Sequence, residues 1–349
     1  MKKQLATELT TKPRIAWVDV AKILGMFAIF VGHLTPKTGD NFIKWVFIFN
    51  VPLFFFLAGC METKNQRTFF KNLLHKIKTI LIPLYIFALA TMLIQILATG
   101  SLSNVSTMGI QLYQGFVRNH SFGALWFLSC LFVMEIVFSL IKKLKKWYLI
   151  ATISIIAFGI AYFVITPIPI QTPSWWWNVD SMLFYIPFFT LGYILYPTIQ
   201  KIFTSKKLVL SIIRDIVGWS SIVYLVCLFM GRNIGGSIWA LNNLTMSLSQ
   251  IVRPLICIFA ILFISKLLEN SKKLSAAGRH TLIFCGGEGI ARSLIISMCS
   301  LMNISIQFNT PLQSYIFALV EMAMVYFLLK PIFAYIFNKI NSVKLLSKW

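Results

Sequence analysis

Charge is what this sequence has least of. Only 12% of its 349 residues are Asp, Glu, Lys or Arg, whereas 58% are hydrophobic and the mean hydropathy is +0.79. A soluble chain of this length needs more polar residues to cover its surface, so a soluble globular class is excluded. Acidic residues are scarcer still, 10 against 32 Lys and Arg, giving a net charge of +22. That surplus would suit nucleic acid, but most basic residues sit in short clusters between apolar runs, as they do where they mark the cytoplasmic side of a membrane. No nucleic acid is expected as a partner. The six cysteines (Cys60, Cys130, Cys227, Cys257, Cys285 and Cys299) lie inside or at the edge of apolar segments and form no CxxC pair. They read as small buried apolar side chains in preference to metal ligands or disulfides. The chain also lacks internal repeats, low-complexity tracts, a Gly-rich phosphate loop and any attached soluble domain.

Long apolar runs are what it has instead. They fall at roughly 15–34, 43–60, 79–99, 123–141, 148–165, 181–197, 212–230, 247–265, 282–302 and 313–337, each near the length that crosses a hydrocarbon core. Pro52, Pro83, Pro187 and Pro254 lie within or near these runs, which membrane helices tolerate when neighbours satisfy the freed backbone groups. Assigning the connections alternately, starting inside, places 23 Lys and Arg inside and only Lys37, Lys44, Arg118 and Arg232 outside. The other five, Lys22, Arg214, Arg253, Arg292 and Lys330, fall within spans. The expectation is an all-α, polytopic transmembrane helix bundle of about ten spans with both termini cytoplasmic. It forms a single domain over 1–349, with 1–13 and 338–349 as cytoplasmic tails. The first run carries Asp19 and Lys22 and has no small-residue cleavage site after it, so it reads as a retained helix and not a signal peptide. The longest outer connection, about 100–122, is polar enough for a loop, with room for a short interfacial helix.

A charge at mid-bilayer costs at least about 2.5–3.5 kcal/mol on insertion scales, so each one asks for a partner or a role. The first span carries Asp19, Lys22 and His33. At 100° per residue, Lys22 and His33 differ by about 20° around the helix and Asp19 and His33 by about 40°, so all three share one inward face. His33 stands near the outer end, roughly 28 Å along the axis from Arg14. A neutral imidazole there suits a general base, while an interfacial histidine bonded to a loop is the plainer alternative. Asp19 is about four turns away, too far to orient the ring. Glu288 and Arg292, at i,i+4 in the ninth span, share a face and fit either a self-neutralising ion pair or a catalytic role. Glu135, Arg253 and Glu321 are further buried-charge candidates. Trp175, Trp176 and Trp177 fit an interfacial aromatic belt or, as a lesser reading, stacking against sugar rings.

RIAWVDVAKILGMFAIFVGH (Arg14 to His33) resembles the opening of the membrane acyltransferase type 3 family, which includes bacterial glycan O-acetylases. In that pattern an Arg is followed five residues on by Asp, shortly after by Lys, and a Gly-His closes the first helix. FNVPLFFFLAG (Phe49 to Gly59) resembles the family's next block, Pro-Leu-Phe-Phe-Phe followed by a small residue and Gly. KIKTILIPLY (Lys76 to Tyr85), LWFLSCLF (Leu125 to Phe132), FYIPFFTLGY (Phe184 to Tyr193) and AGRHTLIF (Ala277 to Phe284) are similar to later blocks, in family order over about 14–284. Three positions depart from the pattern. Asn50 stands where the family often has His, and Glu288 where its late motif often ends in His. The cytoplasmic Arg-x-x-Arg appears as His75 and Lys78, or as Arg67 and Lys71.

The resemblance implies an O-acyltransferase of the bacterial cytoplasmic membrane that moves an acyl group, most simply acetyl, from cytoplasmic acyl-CoA to a hydroxyl of a cell-surface or lipid-linked glycan. It implies His33 as the base that deprotonates the acceptor, or as an aid to acyl passage if a covalent relay exists. Arg14, Lys76 and Lys78 would neutralise the CoA phosphates, and Asp19 and Lys22 would pair to hold the first span in register. Glu288 and Arg292 would shape the site or polarise the thioester carbonyl. No metal is implied. The partners are acyl-CoA, the acceptor glycan and the bilayer, with homo-oligomerisation open. A glycan or lipid-linked-sugar exporter is the rival reading, since such bundles also bury charges, and it predicts internal repeats or paired broken helices. A purely structural envelope component is a third reading, and it would leave buried His33 and Glu288 unexplained.

Overall fold

The computed structural model describes residues 14–34, 41–99, 105–118, 122–165, 175–232 and 234–342. The tail 1–13, the end of the chain from 343, and parts of the 100–122 connection and the segment before Trp175 lie outside them. Among the described residues every regular element is helical.

Helix α1 spans Ala16–Gly32 and α2 spans Asn41–Glu62. Helix α3 runs through Phe69–Lys76, a π-helical turn at Ile77–Leu81, and Ile82–Thr99. The short α4, Val105–Gln114, lies in the long connection where an interfacial helix had room. Then come α5 (Leu125–Ile141), α6 (Trp147–Gly159, continued by the π-helical Ile160–Ile165), α7 (Val179–Thr204), α8 (Leu208–Phe229) and α9 (Asn243–Leu267). Helix α10 is the short Lys272–Gly278, and α11 is Thr281–Leu301. Helix α12 joins Pro311–Met324, a π-helical Val325–Leu329 and Lys330–Ser342. Nine of these helices are long and apolar enough to cross a membrane. Helix α1, at 17 residues, is shorter than these and sits at the short end of the spanning range of about 17–25.

Helix α1 is the axis of the bundle. Twelve of its 17 residues are buried, too many for a helix with a lipid-facing side. Trp17, Val18, Ala21 and Ala28 pack into one apolar cluster, built mainly with α2, α5, α7 and α9. Ile23, Met26, Phe30 and Val31 face a second cluster, built with α3, α11 and α12. Both charged side chains of α1 therefore have protein around them, as their cost in lipid requires.

Within a bilayer, helices associate through close packing more than through hydrophobic exclusion, so small residues mark the tightest contacts. Helices α2 and α7 meet backbone to backbone. A side chain at Gly59 would overlap the carbonyl of Phe189, and one at Gly192 would overlap the carbonyl of Phe56. Gly278 of α10 likewise lies against the backbone carbonyl of Asp19. Motif blocks far apart in sequence are thus contacting surfaces in the fold.

Candidate active site

Helix α1 ends at His33, whose backbone N–H still reaches back to the carbonyl of Ile29. Its ring projects toward α11, where Nδ1 lies 2.5 Å from Oε1 of Glu288. One turn on, Arg292 donates from Nη2 to the same oxygen at 2.8 Å. Arg292 also grips Glu321 of α12, through Nε at 2.8 Å and Nη2 at 3.3 Å. Three helices thus deliver a continuous chain, His33–Glu288–Arg292–Glu321. The two carboxylates are almost wholly enclosed, whereas 34% of the His33 side chain is open. A neutral imidazole leaves this group one negative charge in excess, and an imidazolium would balance it. Glu288 fixes the ring and leaves Nε2 as the nitrogen available for chemistry.

The open face of His33 meets two cavities. The first, about 600 Å³, lies at the His33 end of the bundle between α11 and α12 and carries Arg292, Ser300, Asn303 and Ser305 on its wall. The second, about 230 Å³, lies in the interior and is walled by His33, Asn50, Arg118, Trp126, Phe127 and Tyr185 among others. A third, about 240 Å³ and mostly apolar, continues toward the Asp19 end. It shares Ile29, Phe54, Phe127 and Cys285 with the second, and Lys22 and Glu135 stand on its wall. The first of these cavities lies within the range of about 300–1,000 Å³ usual for ligand pockets. His33 therefore stands between a chamber at one end of the bundle and an interior passage that extends toward the opposite end of the molecule.

At that opposite end, cations converge. Lys22 Nζ is 4.0 Å from Asp19 Oδ1, as expected from their spacing, and Arg279 Nε is 3.8 Å from Asp19 Oδ2. Arg14 is close enough to Lys22 to act on it electrostatically. His280, just before α11, is surrounded by Lys330, Arg14 and Arg279, and burial together with those three charges holds it below its ordinary value. Arg14, Lys22, Arg279 and Lys330 together outnumber the one carboxylate among them, which makes this end of the molecule electropositive. Asp19 belongs to this group and not to His33.

Not every expected cation is available here. Lys76 is held by Glu135 at 2.5 Å, a carboxylate on the wall of the third cavity. Lys142 is similarly engaged by Glu62, which also accepts from Asn65. Lys78 lies on the π-helical turn of α3 and lines none of the three cavities. Nor do Trp175, Trp176 and Trp177, which leaves the sugar-stacking reading without support. Trp176 packs on Tyr113 instead, and Trp177 packs near Phe132. Among the described residues no group of three or more His, Cys, Asp or Glu could hold a metal ion.

Sequence reasoning isolated His33, Glu288, Arg292, Asp19 and Lys22, and flagged Glu321 and Glu135 as buried charges without naming their partners. It missed Asn50 and Arg118 as cavity residues. Arg118 enters from the connection before α5, where its backbone N–H donates to Oδ1 of Asn178 at 3.0 Å. Asn178, wholly buried, also donates to the carbonyls of Gly115 and Phe116 and to Oγ of Ser129. Those bonds turn the connection inward. The only signal in the sequence was one arginine among very few charges on that side.

No curated protein and no solved structure matches this chain. The sequence model of the acyltransferase type 3 family, described as an acyltransferase domain, matches residues 15–287. That span takes in the first-helix motif from Ile15 to His33, without Arg14, and stops one residue short of Glu288, so the carboxylate that holds the ring is contributed from beyond it. The match covers well over half of the sequence and agrees with an all-helical membrane bundle: this chain belongs to the acyltransferase type 3 family.

Proposed function

We propose that the protein is an integral membrane O-acyltransferase that moves an acyl group, acetyl in the simplest case, from cytoplasmic acyl-CoA to a hydroxyl of a cell-surface or lipid-linked glycan. One observation carries the reading. His33, its Nδ1 occupied by Glu288, lines both a chamber at one end of the bundle and a passage leading to a cluster of cations at the other. The excess of Lys and Arg on alternate connections supports a cytoplasmic cation end and cytoplasmic termini, and the family resemblance supports a bacterial cytoplasmic membrane as the setting.

In this arrangement the nucleotide phosphates rest against Arg14, Lys22 and Arg279, and Lys78, on the π-helical turn of α3, is a further cation for them. Lys76 acts indirectly, by neutralising Glu135 so that no free carboxylate repels the donor at the entrance. The pantetheine arm lies along the apolar third cavity, and the thioester reaches the interior cavity beside His33. The acceptor hydroxyl enters from the opposite chamber, whose Ser300, Asn303 and Ser305 offer hydrogen bonds to a sugar. His33 Nε2 accepts the hydroxyl proton as the oxygen attacks, and Glu288 stabilises the imidazolium formed. Arg292 and Glu321 keep Glu288 in place. The chain works as one transmembrane domain, with the donor entering from one side and the acceptor from the other.

The test uses purified protein and acetyl-CoA. Binding of acetyl-CoA with His33-dependent release of CoA thiol is the expected result, together with loss of O-acetyl groups from the surface polymer of cells expressing His33→Ala at normal protein level. Neither binding nor thiol release would favour the exporter reading and remove this one.

A further inference from the structure

The interior cavity contains two hydrogen-bond donors that acyl transfer as described above does not use. Asn50 is 2% exposed and sits on α2 just before Pro52. Its Oδ1 accepts from the backbone N–H of Val51 at 2.7 Å. That bond decides which way the amide faces, because the acceptor must be the oxygen. The Nδ2 group is therefore turned away from the backbone, and among the described residues it meets no protein acceptor, although Asn50 lies on the cavity wall. Arg118, 3% exposed, enters the same cavity from the opposite connection. Its guanidinium lies 5.7 Å from the ring of Trp126, and its backbone is pinned by Asn178. A neutral amide donor and a buried cation thus face a chamber of about 230 Å³ whose remaining wall is largely Ile29, Val51, Phe54, Ala124 and Phe127.

We infer that Asn50 and Arg118 form the carbonyl clamp of the reaction, binding the thioester oxygen and the oxyanion that develops on it. The inference rests on the acyl-transfer reading above and assigns two further catalytic residues to that site. Arg292 does not compete for the task. It lies on the wall of the other chamber, where its Nε and Nη2 bond Glu288 and Glu321. As the acceptor oxygen bonds to the carbonyl carbon, its proton passes to His33 Nε2 and the carbonyl π pair moves onto oxygen. The Asn50 Nδ2–H and the Arg118 guanidinium hold that negative charge in an apolar chamber, where fixed donors act far more strongly than in water. Collapse re-forms the carbonyl and breaks the C–S bond. The sulfur takes the proton from the imidazolium and leaves as CoA thiol, while the ester leaves with the acceptor.

The experiment uses the full chain in lipid nanodiscs, with acetyl-CoA as donor and water as acceptor, reading CoA thiol release and acetyl-CoA binding. Asn50→Asp keeps the acceptor for Val51 and the size of the side chain while removing the amide donor. Arg118→Met keeps a long side chain without charge. Each should lower His33-dependent thiol release about a hundredfold while acetyl-CoA affinity moves by less than about threefold. A second readout counts only folded, loaded protein: the infrared band of [1-¹³C]acetyl-CoA should shift to lower frequency when bound to the wild type and return toward its solution position in Asn50→Asp. Thiol release within about threefold of wild type in both variants, or a bound carbonyl band that the substitutions leave unmoved, would overturn the clamp and leave acyl transfer standing. A wild-type protein that neither binds acetyl-CoA nor releases thiol through His33 would overturn acyl transfer, and the clamp with it.

Discussion

Glu288 reaches His33 across 255 positions of sequence, its Oε1 standing 2.5 Å from the ring's Nδ1. The contact fixes both the rotation of the imidazole and which nitrogen bears the proton, so its removal should be felt in turnover and not in donor binding. Glu288→Gln preserves shape but supplies a neutral group unable to balance an imidazolium. The expected outcome is a fall in kcat of about a hundredfold or more with KM for acetyl-CoA nearly unchanged, measured by thiol release.

Arg292 stands between two enclosed carboxylates, and each depends on it. Truncating one member of such a group leaves a buried charge unmatched, at a cost of about 3–5 kcal/mol. Arg292→Met should therefore lower the melting temperature in detergent sharply. Adding Glu321→Gln to that variant should restore part of the loss, because one of the orphaned charges is then gone. Thermal unfolding of the two variants beside wild type checks the order.

The spans were legible because twenty apolar residues in a row have few other uses, and most of the helix ends moved by only a few residues. Helix α7 runs to Thr204 where the apolar run stopped near 197, because Tyr196 and Ile199 still pack into the core. Charge cost alone drew attention to Glu288, Arg292 and Glu321. Their union with His33 was not legible, since it arises from the packing of α1, α11 and α12, which leaves no periodicity in the chain. Arg118 was hidden for a related reason: a loop residue on the outer side looks solvated until Asn178 is seen to turn the loop inward. The repeated Phe-rich blocks were recognisable as motifs, but their purpose emerged only where Gly59 and Gly192 were found against each other's helices. That contact predicts that Gly59→Val, which places a carbon bearing two methyl groups against a backbone carbonyl, prevents the bundle from forming. Size-exclusion profiles and yield of membrane-inserted protein would show it.

Two lysines and an arginine near the proposed donor entrance should separate by readout. Arg279 and Lys22 are tied only loosely to Asp19, at 3.8 and 4.0 Å, and remain free to meet phosphate. Arg279→Gln should raise KM for acetyl-CoA several-fold with little change in kcat, and the effect should shrink as salt rises. Lys76 is different, because its partner Glu135 is 8% exposed. Lys76→Gln should act chiefly by unpairing that carboxylate, lowering the melting temperature, and Lys76→Gln with Glu135→Gln should recover it. A KM effect for Lys76→Gln that persists in the recovered double variant would place Lys76 among the phosphate ligands after all.

His280 offers a pH test of the cation cluster. Burial, and then Lys330, Arg14 and Arg279, hold it below its ordinary value of 6.5. The unfolded chain therefore binds this proton at a higher pH than the folded one. The associated stability is complete above pH 6.5 and declines as pH falls from there toward the folded value, below which the decline levels off. Wild type should lose more melting temperature than His280→Gln between pH 7.5 and pH 5.5, a window of about two units around the unfolded value. Anions seated in the cluster would offset the repulsion that makes protonation costly there. Saturating acetyl-CoA should then narrow the gap between the two proteins at the acid end. An unchanged gap would mean that the phosphates bind elsewhere.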